Sequence, residues 1–97
     1  VNAAGHLTLA AIDTVELAEK FGTPLWVMDE LTIRRGIQAY KDGLKDYPDS
    51  KIYYAGKAFL CLAMCRIVEQ EGLGLDVVSE GELFTAIKAG FPADRIC

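Results

Sequence analysis

The sequence of 97 residues has one histidine, three cysteines, no run of basic residues and no long apolar stretch. Each shortage excludes something. Lys and Arg number 10 against 14 Asp and Glu, a net charge of -4, so there is no basic footprint for a nucleic acid. No apolar run approaches the ~20 residues that cross a bilayer, and nothing reads as a signal peptide. The expectation is a cytoplasmic location, with neither membrane nor nucleic acid as a partner. Cys61, Cys65 and Cys97 are an odd number in no disulfide or zinc framework. Cys61 and Cys65 stand four apart, on one face of a helix, and read as buried structural thiols. No histidine or second cysteine pair completes a metal set, so no metal is expected. The lone His6 has no nearby Ser or Cys and reads as a surface or packing residue. There is no P-loop and no Gly-x-Gly-x-x-Gly fingerprint. Glu71-Gly72-Leu73-Gly74 stands between a helix and a strand, where glycines cap helices, rather than between a strand and a helix, where they cradle phosphate.

What is present is a globular composition, 52% apolar and 25% charged. The length allows one small domain or part of a larger one. So short a chain buries a modest fraction of its surface, and its apolar residues are expected to find partners past position 97.

Element types alternate. Leu7 to Ile12 reads as a short strand. Asp13, with Glu16 at capping-box spacing, opens a helix from Thr14 to about Phe21 that Gly22 and Pro24 close. Leu25 to Met28 is an apolar run of strand length. Asp29 caps a helix whose stripe is Ile33, Ile37, Tyr40, Leu44 and Tyr47, spaced four, three, four, three. Gly36 and Gly43 weaken that helix, and Pro48-Asp49-Ser50 ends it. Lys51 to Ala55 is a strand rich in β-formers. A helix follows from about Phe59 to Glu71, with Leu60, Met64, Ile67 and Val68 inward. Leu75 to Val78 is the next strand. Ser79 and Glu82 have capping-box spacing for a helix that Gly90 and Pro92 end, and Ile96-Cys97 can begin a further strand. Such alternation predicts an α/β fold with a parallel sheet and right-handed crossovers. Periodicity leaves open a doubly wound sheet or part of a (β/α)8 barrel, which when complete needs about 250 residues.

Lys57 is the most informative position. It follows a strand at its C-terminal end, where parallel α/β folds place their chemistry. Ala55, Gly56 and Ala58 leave room for a flat ligand. A lysine amine kept uncharged can form a Schiff base with an aldehyde cofactor; the plain alternative is a solvated loop lysine. Asp76 interrupts the apolar strand Leu75-Asp76-Val77-Val78. A carboxylate there needs a partner, and Lys57 is one if the two strands are neighbours; otherwise Asp76 is a strand-edge residue in water. Glu82 can reach the same region, although its capping position accounts for it without chemistry. Tyr53 and Tyr54 must point to opposite faces, and which points where is not legible from the pattern.

Tyr54-Ala55-Gly56-Lys57-Ala58-Phe59, followed by an apolar helix ending at Gly72, resembles the lysine signature of the diaminopimelate, ornithine and arginine decarboxylase family, enzymes that use pyridoxal 5'-phosphate (PLP). Cys65 stands where that family usually has an aliphatic residue. Leu17-Ala18-Glu19-Lys20-Phe21-Gly22-Thr23-Pro24-Leu25-Trp26-Val27, and Gly72 to Ser79 followed by Gly81-Glu82-Leu83, are similar to its diaminopimelate-specific members. Glu80 replaces a common Gly or Ser. The resemblance runs from about His6 to Ile96.

The resemblance implies the N-terminal part of a PLP-binding (β/α)8 barrel like that of alanine racemase. Residues 1–12 would then be a strand segment of the parent's β-domain and residues 13–97 a partial barrel. It implies that Lys57 holds the cofactor, that Ala55, Asp76 and Glu82 line its site, and that the parent decarboxylates meso-diaminopimelate to L-lysine. Ornithine, arginine or carboxynorspermidine decarboxylases are neighbouring alternatives, and a non-catalytic PLP-binding or interaction fragment is one of another class. The family's phosphate-binding loop, the acid on the pyridine nitrogen, the substrate-binding residues and the proton-donating cysteine all lie further along than Cys97. The piece alone is therefore expected to be inactive, and the family's head-to-tail dimers imply a homodimer or other self-association.

Overall fold

A computed structural model describes residues 1–97. They fall into two compact units, Val1–Arg35 and Gly36–Cys97.

In the first unit, the segment expected as one strand over Leu7–Ile12 is a small antiparallel hairpin. Strand β1 (Thr8–Leu9) pairs with β2 (Ile12–Asp13), Thr8 facing Asp13 and Leu9 facing Ile12. Ala10 and Ala11 make the turn at φ 49° and 65°, the left-handed pair that a type I' turn demands. Alanine is a poor signal for that turn, and so the reversal was hidden. Helix α1 (Thr14–Phe21) begins where expected, with the Asp13 carboxylate accepting from Val15 N at 2.8 Å. The cap thus goes to Val15 rather than into a box with Glu16. Gly22, at φ 80°, closes the helix with its N–H on the Ala18 carbonyl. His6 Nδ1 and Asn2 Nδ2 lie 2.8 and 2.6 Å from the other Asp13 oxygen, which makes His6 a packing residue of this turn. Leu25–Met28 is not a strand: it is irregular and exposed, Trp26 at 94%. An apolar run becomes a strand only when a neighbour completes its ladder.

Helix α2 (Glu30–Gly43) starts on Asp29, whose carboxylate accepts from Leu31 N at 3.0 Å and from the Thr32 hydroxyl at 2.7 Å. The expected stripe is only partly buried. Ile37 is in the core and Ile33 is half-buried, while Tyr40 and Tyr47 are exposed. The helix stops at Gly43, so Leu44 and Tyr47 belong to the turns that follow and leave the helical phase.

The second unit carries the parallel sheet. Strand β3 (Tyr53–Ala55) pairs with β4 (Gly74–Asp76) in the register Tyr53–Gly74, Tyr54–Leu75, Ala55–Asp76. Ile96 bridges Leu75 in parallel on the other side. Cys97 N donates to Leu75 O at 2.9 Å, and Val77 N to Cys97 O at 2.8 Å. The further strand expected at Ile96-Cys97 therefore joins the sheet. Helix α3 (Leu62–Gln70) connects β3 to β4, and α4 (Glu80–Ala89) connects β4 to Ile96. Met64, Cys65 and Val68 of α3, Leu73, Leu75, Ala86 of α4 and Phe91 are buried together. Leucine and valine side chains buried this way each contribute ~1.5–3 kcal/mol. Gly90, left-handed at φ 76°, turns the chain out of α4.

Helix α3 starts three residues later than expected. Gly56–Ala58 is a 3-10 turn, and Phe59 is extended at φ -169°. The Phe59 carbonyl accepts from the Tyr54 hydroxyl at 2.7 Å, so it is engaged outside any helix.

Candidate functional site

The C-terminal ends of β3 and β4 bring the candidate residues together. Residues paired in a parallel ladder share a face. Leu75, partnered by Tyr54, points into the buried helix-covered side. Ala55 and Asp76, the next pair, therefore point to the other face, and the chain passes straight from Ala55 into the turn that holds Lys57.

Lys57 lies exposed in that turn, between buried Gly56 and exposed Ala58. Strand proximity makes an Asp76–Lys57 pair feasible, but no ion pair joins them. The amine is left open to a ligand. Asp76 is half-buried beside Ala55.

Glu82 arrives from the first turn of α4. Its backbone N–H donates to the Ser79 hydroxyl at 3.2 Å, and its own Oε2 accepts from Val78 N at 3.0 Å. The capping exchange expected of Ser79 and Glu82 is present, with the return bond moved one residue back to Val78. This fixes the Glu82 carboxylate against Gly56: a Cβ at position 56 would lie 3.1 Å from Glu82 Oε2 and 3.0 Å from the Asp76 carbonyl. Lys57's own turn is thus pressed onto β4 and α4, and any Cβ at position 56 would crowd both.

This donor set fits an aldehyde cofactor. An exposed primary amine stands in a turn next to small residues, Ala55, Gly56 and Ala58. Asp76 stands on the paired strand, and the Glu82 carboxylate lies against Gly56, the residue before Lys57; both offer acceptors to a ligand's donors.

A cavity of about 510 Å3 opens at the opposite ends of the same strands, lined among others by Lys45, Lys51, Tyr53 and Arg95. It is the weaker candidate. Two of its cations are already answered, Lys41 by Glu71 at 3.2 Å and Arg95 by Glu69 at 3.2 Å, and it lies at the end of a parallel sheet where chemistry is not found.

The three cysteines remain apart from the site chemistry. Cys65 is fully buried, Cys61 precedes α3 as its N-cap, and Cys97 is exposed. Burial, helped by the neighbouring Cys61, raises the Cys65 thiol pKa. Tyr54 opens the lysine signature, but nothing in the sequence marked its hydroxyl bond, which reaches past Lys57 to the Phe59 carbonyl.

Comparison with known proteins bears on the same residues. Residues 30–97 match the family model described as pyridoxal-dependent decarboxylase, pyridoxal binding domain. The chain is 47% identical over 97 residues to a diaminopimelate decarboxylase of Bacillus methanolicus, covering 99% of this chain and 22% of that one. It is 49% identical over 100 residues to one from Bacillus subtilis strain 168, covering 98% and 22%. Among solved structures, the diaminopimelate decarboxylase of M. jannaschii in complex with L-lysine superimposes with a TM-score of 0.86 at 38% identity, over 97% of this chain and 23% of that one. The chain thus spans about a fifth of the length of these relatives. Its α/β fold is that of their N-terminal part, a segment of a PLP-binding (β/α)8 barrel.

Proposed function

This chain belongs to the pyridoxal-dependent decarboxylases, and on that premise we propose that it is the amino-terminal part of an enzyme that decarboxylates meso-2,6-diaminopimelate to L-lysine, with Lys57 as its cofactor lysine. The observation that carries the reading is the meeting of Lys57, Ala55, Asp76 and Glu82 at the C-terminal ends of two parallel strands. The diaminopimelate substrate is favoured over ornithine or arginine by the names of the 47–49% identical relatives and by the L-lysine bound to one related structure.

PLP, when bound, supplies a ring that accepts the electron pair left behind as carbon dioxide departs. The residues of this chain bind and orient. Lys57 Nζ would hold the cofactor through its aldehyde. Asp76, on the strand paired with β3, would hold the Lys57 ammonium when that lysine is free. Ala55, with no bulky side chain, would leave room for the cofactor on that side. Glu82, anchored by Val78 N, keeps its carboxylate at the edge of the turn. The rest of the site comes from the remaining four-fifths of the parent. Residues 1–12 belong to the parent's β-domain and residues 13–97 to its barrel. The parent works in the cytoplasm as a homodimer, and this piece by itself does not turn over substrate.

The test is direct. Incubate the protein with PLP, reduce with borohydride, and map pyridoxyl-lysine by peptide mass spectrometry, with Lys57→Ala as control. The full-length parent should carry the label on Lys57 alone and convert diaminopimelate to lysine, both lost in Lys57→Ala. Label on another lysine that survives Lys57→Ala would overturn the assignment. Full-length turnover of ornithine or arginine, with none of diaminopimelate, would replace the substrate.

A further inference from the structure

We infer that Tyr54 is a positioning residue for Lys57: its hydroxyl, bonded to the Phe59 carbonyl, holds the Lys57 turn in the geometry that presents the amine. The inference rests on the reading of Lys57 as the cofactor lysine.

Tyr54 itself has no access to the cofactor face. It pairs with Leu75, which is fully buried on the helix-covered side of the sheet. From there the ring runs along the turn, and its hydroxyl meets the Phe59 carbonyl at 2.7 Å. No other side chain hydrogen-bonds to residues 56–59. Residues 55–58 are thereby bracketed. The ladder fixes Ala55 against Asp76 at one end, and the Tyr54 bond fixes Phe59 at the other. Lys57 sits in the middle of the bracket.

The bond also determines where α3 begins. With its carbonyl taken and its backbone extended, Phe59 stays out of the helix, and Cys61 becomes the N-cap. Without the bond, the segment from Lys57 to Leu60 is free to add a turn to α3, which would rotate Lys57 out of its place. Small misplacements of a reacting group are costly, and a long lysine side chain reaches its target reproducibly only from a fixed backbone.

The bond calls for a protonated phenol. Burial raises the Tyr54 pKa, with the nearby Cys61 adding to it. Tyr54 therefore remains a donor throughout the neutral range and above it.

The experiment uses the full-length parent enzyme and the variants Tyr54→Phe and Val68→Ala. Tyr54→Phe keeps the ring and removes only the donor. Val68→Ala deletes buried volume in α3 and serves as a purely structural lesion. Three quantities are read: the apparent Kd for PLP by spectral titration, the rate of borohydride trapping at Lys57, and the Tm of the cofactor-free protein. Losing one hydrogen bond that holds the competent conformer should raise the apparent Kd about fivefold and slow trapping in proportion. Tyr54→Phe should do this with a Tm near wild type, while Val68→Ala lowers Tm more and leaves Kd unchanged. An unchanged Kd in Tyr54→Phe overturns the inference, as does an equal Kd shift in Val68→Ala. A wild-type protein that takes no label at Lys57 brings down the cofactor reading instead, and the inference with it.

Discussion

Adding one methyl group at Gly56 should destabilise the protein, although the same change at the open helical position Gly36 should do the reverse. Gly56 does not sit at positive φ, so alanine meets no backbone strain there and the effect comes from contacts alone. Its Cβ would lie 3.0 Å from the Asp76 carbonyl oxygen, 3.1 Å from Glu82 Oε2 and 3.4 Å from Leu60 Cδ2. The first contact cannot yield, because Asp76 is held by β3 on one edge and its neighbours Leu75 and Val77 bond Cys97 on the other. Glu82 can rotate away, but only by giving up its bond to Val78 N. Overpacking costs ~1–3 kcal/mol and the lost bond ~0.5–1.5 kcal/mol. The smaller entropy of the unfolded alanine chain offsets ~0.4–1 kcal/mol. The net is a loss of ~0.5–4 kcal/mol. Gly36, inside α2 with nothing within 4 Å of its Cβ, is the matched control, and Gly36→Ala should gain ~0.5–1 kcal/mol. Thermal midpoints of the cofactor-free protein, with PLP titrations alongside, measure both. Gly56→Ala should melt lower and bind PLP more weakly, and Gly36→Ala should melt higher with unchanged binding. If Gly56→Ala melts at or above wild type, the close packing of the Lys57 turn on β4 and α4 is refuted.

Leu75→Ala, at the fully buried centre of β4, should cost ~2–5 kcal/mol; denaturant melts that shift by less than about 1 kcal/mol would mean that the core is loosely packed. A thiol reagent should modify exposed Cys97 in the native protein and spare Cys65 until unfolding, and early labelling of Cys65 would contradict its burial. Because burial raises the Cys65 pKa above its ordinary 9.0, the contribution of that thiol is complete below pH 9 and is lost as pH climbs through its folded value. Cys65→Ala should flatten the alkaline limb of a stability–pH profile, and an unaltered limb would count against it. Asp13 has its pKa lowered below 3.8, first by the His6 hydrogen bond and then, against the opposing effect of desolvation, by the bonds from Val15 and Asn2. Its cap is therefore intact above that pH and released as acid titrates it through the lower folded value. Amide exchange at Val15 should accelerate there in wild type, whereas in Asp13→Asn it should show no such step.

The parts legible from the sequence are those whose signals are local. Helices α1, α2 and α4 begin at Asp13, Asp29 and Ser79, because a short oxygen-bearing side chain caps a helix through bonds to residues two or three positions on. The strand run ahead of Lys57 and the Ile96 bridge were likewise readable, since β-formers between turns leave few alternatives. What was not legible depends on distant groups. Leu25–Met28 has the composition of a buried strand, yet composition supplies no partner for its ladder, and the run stays irregular. The Ala10-Ala11 reversal is set by hairpin closure against the preference of alanine.

The candidate site divides along the same line. That Lys57 stands at a strand end, and that Asp76 breaks an apolar strand beside it, follow from order along the chain. That the two strands are neighbours with Ala55 opposite Asp76 is a fact of register. Glu82 is the instructive residue, because its capping position accounts for it without chemistry while the family resemblance puts it at the cofactor site. The cap also sets where the carboxylate lies: the bond from Val78 N parks it against Gly56 at the base of the Lys57 turn. A capping residue next to a strand end is held rigid by its cap, and rigidity is what a cofactor wall requires. Glu82→Gln separates the two roles, because the amide oxygen can still accept from Val78 N while the charge is gone. If Glu82 acts only as a cap, Glu82→Gln should match wild type in both Tm and PLP affinity. If its charge also serves the Lys57 site, the Tm should hold while PLP affinity and its pH dependence change, and a fall in Tm without a change in affinity would limit Glu82 to the helix.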